Sequence, residues 1–417
     1  MRFFIFTTLF VSLLTSIASA SDQIPGATQT HPIAIVGATI HTVSGNTIKN
    51  GSIVFDKGRI VQVGKKVDLP KDCKVIKATG KHVYPSMIEA NSDIGLVEIN
   101  SLKDTIDSRE FGSLNPNVKT AVAFNPDSEL IPVARANGIL LAITSPKGGL
   151  LSGRSSLMML DGWTWEDMTL KSDTGMHVQW STSSKSIQQL VDILDQTRRY
   201  IAARKSPQST QPVDLRLEAL IPVVNRKLPL IVSANSLSQI EGAVAFARRQ
   251  TVKIIISGGY DAPHCAKLLQ DENVPVIIGA VYRTPQHRHG AYDEGYTLPK
   301  QLQDAGIPYC ISAGGRFGAS MIRNLPYNAA TAAAYGLTEK EALRSITLSP
   351  AEILGVADRV GSLQVGRDAT LFIADGNILE TPTQVLSAFI QGRKVDLDNR
   401  HKQLNRKYSI KYKRLQN

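Results

Sequence analysis

The sequence predicts an α/β protein built on a TIM-like (β/α)8 barrel, with a small β-rich unit at both ends of the barrel region. Apolar strand-like runs alternate with amphipathic helix-like runs across residues 83–359, which is typical of a parallel sheet. Short β-rich segments with turn residues flank this region on both sides. The 417 residues suffice for a barrel of about 250 residues and a smaller unit.

The β-rich segments share short apolar runs separated by turns. In the first, strands are predicted over residues 33–36, 39–43, 52–55 and 59–63, with a hairpin turn at Asp56-Lys57-Gly58. In the second, strands are predicted over residues 369–373 and 385–390. We therefore expect a small antiparallel unit at each end of the barrel region.

Several strand–helix units follow one another in the middle of the chain. Strands are predicted over residues 138–143, 230–232, 252–256, 274–281 and 308–311, and helices over 240–249, 263–270 and 325–335. This number of units favours a closed barrel. An open doubly wound sheet is the alternative, but it would not explain β-rich segments on both sides.

The first twenty residues have the features of a secretory signal peptide. Arg2 precedes an apolar run over residues 3–14, and Ala18-Ser19-Ala20 is a small-residue cleavage signal. An uncleaved membrane anchor is the alternative, although the run is short for a span. We expect a periplasmic or secreted protein with a flexible leader over residues 21–32.

The amino-acid composition narrows the class of protein. Hydrophobic residues make up 42% and charged residues 20%, which is globular and not disordered. Three cysteines without a CxxC pair, Cys73, Cys265 and Cys310, predict buried free thiols and neither a disulfide scaffold nor a zinc–cysteine site.

The net charge of +11 is concentrated near the end of the sequence, in a basic tail over residues 396–417. Seven Lys and Arg residues and no acid lie between Arg400 and Arg414. Such a tail could contact anionic lipid, polysaccharide or nucleic acid, or it is a solvated extension. Because no aromatic–basic module surrounds it, we expect no nucleic-acid partner.

Several motifs occur together along the chain. They are Gly37-Ala38-Thr39-Ile40-His41-Thr42, Gly58-Arg59-Ile60, Ser349-Pro350-Ala351 and Gly366-Arg367-Asp368-Ala369-Thr370-Leu371. This set resembles the amidohydrolase superfamily, in particular its imidazolonepropionase-like and prolidase-like branches, and the last motif is the most characteristic. The resemblance extends from about residue 33 to 393. It implies a composite β-sandwich from residues 33–82 and 360–395 around a metal-dependent-hydrolase barrel over 83–359, acting on non-peptide C–N bonds such as cyclic amides.

The chain departs from the family pattern at the metal ligands. The family's Asp-x-His-x-His segment corresponds to Glu89-Ala90-Asn91-Ser92-Asp93, so Asn91 and Asp93 replace the two histidines. Ser233 and Asn235 stand at the end of the fifth strand, and Ser257 at the end of the sixth, where the family has histidines. Ala313-Gly314-Gly315 stands in place of the family's eighth-strand aspartate.

Amides and hydroxyls are weak ligands for a transition metal, and a catalytic zinc needs about three imidazole or carboxylate ligands. Of these positions, only Asp93 could bind one strongly. We therefore expect no metal cofactor, unless a zinc site has been relocated. The candidates for such a site are Asp93, Asp261, His264, His287 and His289, together with Asp293 and Glu294, which soon follow His289. The alternative is a polar loop in which these histidines only form hydrogen bonds.

Four basic residues are further ligand-binding candidates. Lys147 and Arg154 bracket a Gly-rich loop, which we assign to the fourth-strand region and which could hold an anion or simply cover the barrel mouth. Arg316 and Arg323 follow the eighth strand and could bind a carboxylate, or they are surface charges.

Three functional hypotheses follow. The first is a divergent homologue that keeps the pocket, binds a small molecule and hydrolyses weakly or not at all. The second is an active hydrolase with a relocated metal site near His287 and His289. The third is a structural partner, as a homo-oligomer or as a dimer with an active homologue.

Overall fold

The computed structural model describes residues 23–205, 210–314 and 318–415. In chain order the strands are β1 (Ile33–Ile40), β2 (Ile48–Asp56), β3 (Arg59–Gly64), β4 (Lys74–Lys77), β5 (His82–Pro85), β6 (Met87–Ser92), β7 (Ile139–Thr144), β8 (Leu151–Met159), β9 (Thr169–Gln179), β10 (Leu230–Ala234), β11 (Ile254–Gly258), β12 (Val276–Ile278), β13 (Tyr309–Ile311), β14 (Leu371–Ala374), β15 (Val385–Ile390) and β16 (Arg393–Val395).

The α-helices are α1 (Leu130–Arg135), α2 (Trp165–Met168), α3 (Ser184–Arg204), α4 (Leu215–Val224), α5 (Leu237–Gln250), α6 (Ala266–Asp271), α7 (Glu294–Asp304), α8 (Leu325–Ala334), α9 (Glu339–Ser345), α10 (Leu348–Ile353) and α11 (Arg400–Leu415). Shorter 3-10 helices include Ala262–Cys265 and Gly318–Asn324. Most α-helices follow a barrel strand, as the alternating pattern predicts.

The first sheet, the composite sheet, takes its strands from both ends of the chain. Its order is β16-β15-β14-β5-β1-β2-β3, and β4 also pairs with β1. β14 lies antiparallel to β5, with Phe372 opposite Tyr84. The two segments separated by the whole barrel are therefore neighbours in one sheet, as predicted. This sheet has its own apolar cluster, with Ile35, Phe55 and Phe389 at its centre.

The second sheet, the barrel sheet, has the order β13-β12-β11-β10-β9-β8-β7-β6. The TIM-like barrel prediction is confirmed, with one difference in strand direction. β8 is antiparallel to both β7 and β9, whereas the other neighbouring pairs are parallel. The segment 145–150 between β7 and β8 is too short for the helical crossover that a parallel connection needs.

The barrel strands are strongly apolar, which is why they lie in the interior of the protein. β7, β10 and β11 are buried along most of their length, as expected for strands covered on both faces. Helix α5 begins with a capping box between Ser236 and Gln239, directly after β10. The carboxyl ends of the parallel strands therefore meet at one face of the barrel, where each chain segment turns into a polar loop.

The remaining expectations concern the two ends of the chain and the cysteines. The predicted signal peptide lies outside the described residues. The described part of the predicted flexible leader is hydrogen-bonded to the body, since Gln29 contacts Phe55 and Gly58, and the Gly26 amide donates to Asp161. The basic tail contains the helix α11.

The cysteines are free as predicted, although only Cys265 and Cys310 are buried. Across the described ranges, no helix is long and apolar enough to cross a membrane.

Candidate functional site

Neutral polar side chains form a hydrogen-bonded chain across the barrel mouth. The Asn91 side-chain amide, at the end of β6, donates to the Ser257 hydroxyl at the end of β11 over 3.3 Å. The Ser145 hydroxyl, just after β7, donates to the Asn91 side-chain oxygen over 3.4 Å. The predicted site residues Asn91 and Ser257 are therefore in contact, and they present only amide and hydroxyl groups.

The fifth strand adds two further polar groups to this mouth. Ser233 is opposite Ser257 in the parallel ladder, so the two side chains share the inner face. Asn235 follows β10, and its side-chain oxygen is buried with no hydrogen-bond partner among the described residues. That oxygen lies against Gly258, where any side chain would collide with it. Gly258 thus makes room for a buried acceptor.

A buried carboxylate lies beneath Asn91. Glu89, on β6, is fully buried, and it accepts hydrogen bonds from the Ser312 hydroxyl, the Ala313 amide at 2.8 Å and the Asn91 amide at 3.0 Å. Burial raises the pKa of Glu89 to about 7, although the three donors oppose that rise. The side chain joins the first and last strands of the barrel sheet, which helps to close the barrel.

Glu89 is a site residue that the sequence motif alone does not identify. The signal that could have identified it was its place inside the apolar run from Met87 to Ala90, which predicts a buried strand. His177, on β9, is a second buried residue that the sequence pattern does not identify. It is buried, its Nε2 has no partner, and desolvation lowers its pKa to about 4.

Asp93 is held by a cation and a backbone amide. Lys147 Nζ lies 2.5 Å from its Oδ2, and the Ala319 amide donates to its Oδ1 over 2.7 Å. The carboxylate is buried, whereas the lysine is partly exposed. The one strong metal ligand expected at the strand ends is therefore neutralised by an ion pair within the protein.

Lys147 itself is placed differently from our expectation. It follows β7, the second barrel strand, and not the fourth, because the antiparallel strand β8 returns directly after it. The fourth barrel strand is β9, which ends at Gln179 opposite Ser233. Lys147 therefore does not lie at the end of the fourth strand.

Asp261, His287 and His289 form a second polar group on the loops that follow the sixth and seventh strands. His287 Nε2 lies 3.1 Å from Asp261 Oδ2, which also accepts from the Leu237 amide. The His287 and His289 rings are stacked, with centroids 5.4 Å apart. His264 lies on the neighbouring 3-10 helix Ala262–Cys265.

The candidates for a relocated metal site are divided between two groups. Asp93 pairs with Lys147, whereas Asp261 pairs with His287. Among the described residues, no three His, Cys, Asp or Glu side chains are close enough together to hold a metal ion. The neutral amides and hydroxyls at the strand ends also do not fit a catalytic transition metal.

Arg154 and Arg323, two of the other basic candidates, contact other parts of the protein. The predicted Gly-rich loop ends at Leu150, and Arg154 lies on β8, where it pairs with Asp173 at 3.1 Å. Arg323 contacts the His401 ring at the start of α11. Arg316 lies outside the described residues. An anion site made jointly by Lys147 and Arg154 is therefore not formed, because both cations already have carboxylate partners.

Comparison with known proteins agrees with this architecture. Residues 260–396 match the sequence model of the amidohydrolase family. A curated relative, the amidohydrolase tasK of Hapsidospora irregularis, is 21% identical over 397 residues, which cover 82% of this chain. The chain spans 39% of the length of that relative.

Solved structures give the same result at the level of the fold. An amidohydrolase from Thermotoga maritima MSB8 superposes with a TM-score of 0.80 at 23% identity, over 87% of this chain and 99% of that one. A prolidase complexed with N-methylphosphonate-L-proline gives a TM-score of 0.55 at 18% identity, over 88% and 99%. Molinate hydrolase gives 0.54 at 12% identity, over 90% and 96%.

Proposed function

We propose that this chain is a divergent member of the amidohydrolase superfamily and that its barrel mouth binds a small neutral polar molecule. Metal-dependent hydrolysis of C–N bonds is weak or absent in this protein. The observation that carries the proposal is the chain from Ser145 through Asn91 to Ser257 at the strand ends. Amides and hydroxyls there offer hydrogen bonds in place of metal ligands.

The pairing of charges at the mouth favours a neutral ligand. The two buried carboxylates, Asp93 and Asp261, each already contact a basic side chain, Lys147 and His287 respectively. The buried oxygen of Asn235 remains as an acceptor without a partner. A ligand with an N–H donor, such as a cyclic amide, would satisfy it, and leaving such an acceptor unpaired is costly.

Elemental analysis of the purified full-length chain tests the loss of the metal centre. We expect less than stoichiometric zinc, manganese and iron, and no hydrolysis of cyclic amides or prolyl dipeptides above background after these metals are added. Stoichiometric metal that is lost in an Asp93→Asn or a His287→Ala variant, together with hydrolysis, would contradict the proposal and support a relocated centre.

Calorimetric titration with the same cyclic amides tests the pocket. We expect Asn235→Leu to weaken binding by about tenfold or more, because it removes the free acceptor, and Ser257→Ala to weaken it less. Ser349→Ala is the matched control, since this serine lies at the opposite end of the barrel beside Pro275 and Pro308. Equal affinity of the Asn235→Leu variant and the wild type would rule out this pocket.

A further inference from the structure

Helix α11 has a composition unlike any other element of the chain. Its sixteen residues include seven Lys and Arg and no Asp or Glu, and none of its residues is buried. A helix of this length extends for about 24 Å. An isolated helix with so many like charges gains little from its own sequence, so a surface of opposite charge would stabilise it.

The start of α11 is attached to the protein body. Arg406 forms an ion pair with Asp398 at 2.6 Å, and Lys402 Nζ donates to the Leu397 carbonyl over 2.8 Å. His401 contacts Arg323 at 3.1 Å. These contacts tie the first two turns of the helix to the segment before it and to Arg323.

One face of α11 carries an apolar stripe. Leu404, Tyr408, Tyr412 and Leu415 are separated by four, four and three residues, so they lie along one side of the helix. Between 36% and 71% of each of these side chains is exposed. Ile410, which is 52% exposed, lies on the opposite side. The stripe is therefore open to solvent in this protein.

Lysines border the stripe. Lys407 and Lys411 have their ammonium groups 5.8 and 5.9 Å from the Tyr408 ring, and Lys411 is 5.9 Å from the Tyr412 ring. Amphipathic tyrosine rings and leucines beside long basic side chains suit the boundary between lipid headgroups and acyl chains. The cations would meet anionic headgroups while the apolar stripe enters the acyl region.

We propose that α11 docks the protein on the surface of an anionic phospholipid bilayer, with Leu404, Tyr408, Tyr412 and Leu415 facing the lipid. The helix lies in the plane of the interface. A nucleic acid fits less well, because a phosphodiester backbone offers nothing to the two leucines of the stripe. This surface is separate from the barrel mouth and does not depend on what the mouth binds.

Co-sedimentation of the full-length chain with vesicles tests the proposal. Phosphatidylcholine vesicles with added phosphatidylglycerol should retain the protein at low salt and release it at high salt, and pure phosphatidylcholine vesicles should not retain it. Lys407→Gln combined with Lys411→Gln should weaken partitioning by roughly thirtyfold.

The apolar stripe is tested by a matched pair of variants. Tyr408→Ser combined with Tyr412→Ser should weaken vesicle binding by about tenfold or more, whereas Ile410→Ser should change it by less than about twofold. Circular dichroism of each variant would show that the helix and the barrel are intact. Failure of the wild type to bind anionic vesicles, equal effects of the two substitutions, or retention by DNA but not by vesicles would overturn the proposal.

Discussion

Glu89 and His177 are two buried ionisable residues whose protonation should affect stability in opposite directions. The pKa of Glu89 is raised from 4.5 to about 7, so the folded protein binds an extra proton between these values, and stability falls as the pH rises through them. The pKa of His177 is lowered from 6.5 to about 4, so stability is lost as the pH falls through that window.

Urea unfolding of single variants across this pH range would separate the two effects. Relative to the wild type, Glu89→Gln should gain stability as the pH rises from 4.5 to 7. His177→Gln should gain relative stability as the pH falls from 6.5 to 4. Each change should amount to roughly 3 kcal/mol at most.

The exposed His31→Gln variant provides the control for these measurements. This substitution removes an imidazole from an exposed position instead of a buried one. Parallel curves for all three variants would show that neither buried group has the assigned environment.

Residues of the candidate site show which of its features the sequence predicts and which it does not. The amide and hydroxyl side chains at the strand ends, on Asn91, Ser233 and Ser257, could be predicted, because each position is defined by a strand end. The apolar run around Glu89 predicts its burial. The partners of Glu89 and the environment of His177 could not be predicted, because a single polar residue has no spacing that reveals what it contacts. The contacts of Glu89 with Ser312 and Ala313 exist only once the first and last strands meet.

At the level of single elements, β8 is the largest departure from prediction. Its sequence places Gly153, Arg154 and three serines beside only four apolar residues, and this mixture favours a loop when it is considered alone. Pairing with β7 and β9 overrides that preference, which is the usual outcome for a strand with neighbours on both sides.

Gly153 is a specific requirement of β8. Its φ is +126°, and a β-carbon there would lie 2.8 Å from Val118 Cβ and 2.9 Å from the Val118 carbonyl oxygen. We expect Gly153→Ala to reduce the free energy of unfolding by about 3 kcal/mol.

Gly80→Ala is the matched control for this substitution in urea unfolding. Its φ of +72° is also positive, but nothing lies within 4 Å of the position. The cost there should be about 1 kcal/mol, from the backbone alone. Equal losses at Gly80 and Gly153 would mean that crowding against Val118 is unimportant.

At the scale of the whole molecule, the two ends of the sequence make unequal contributions to the fold. β14 is fully buried and lies between β5 and β15, and the Phe372 ring stacks against Tyr84 with centroids 5.4 Å apart. Helix α11 has no buried residue. The composite sheet should therefore depend on β14 and be indifferent to α11.

Two truncations would check this difference by thermal unfolding. A chain that ends after Asn399 lacks α11 and the two residues that follow it, and it should unfold within a few degrees of the full-length protein. A chain that ends after Val360 lacks β14–β16, and it should be largely insoluble because β5 loses a partner and Tyr84 is uncovered. A soluble, cooperatively folded product of the shorter truncation would be incompatible with the composite sheet described above.

The position of β14 also constrains the order of events during synthesis on the ribosome. The hydroxyl of Tyr84 donates to the carbonyl of Gly376, which is 292 residues later in the chain. At about 5–20 residues per second, the ribosome needs roughly fifteen seconds to a minute to deliver the second partner. During that interval β5 is an open edge on the nascent chain, so a chaperone that shields strand edges would be most needed before the last strands emerge.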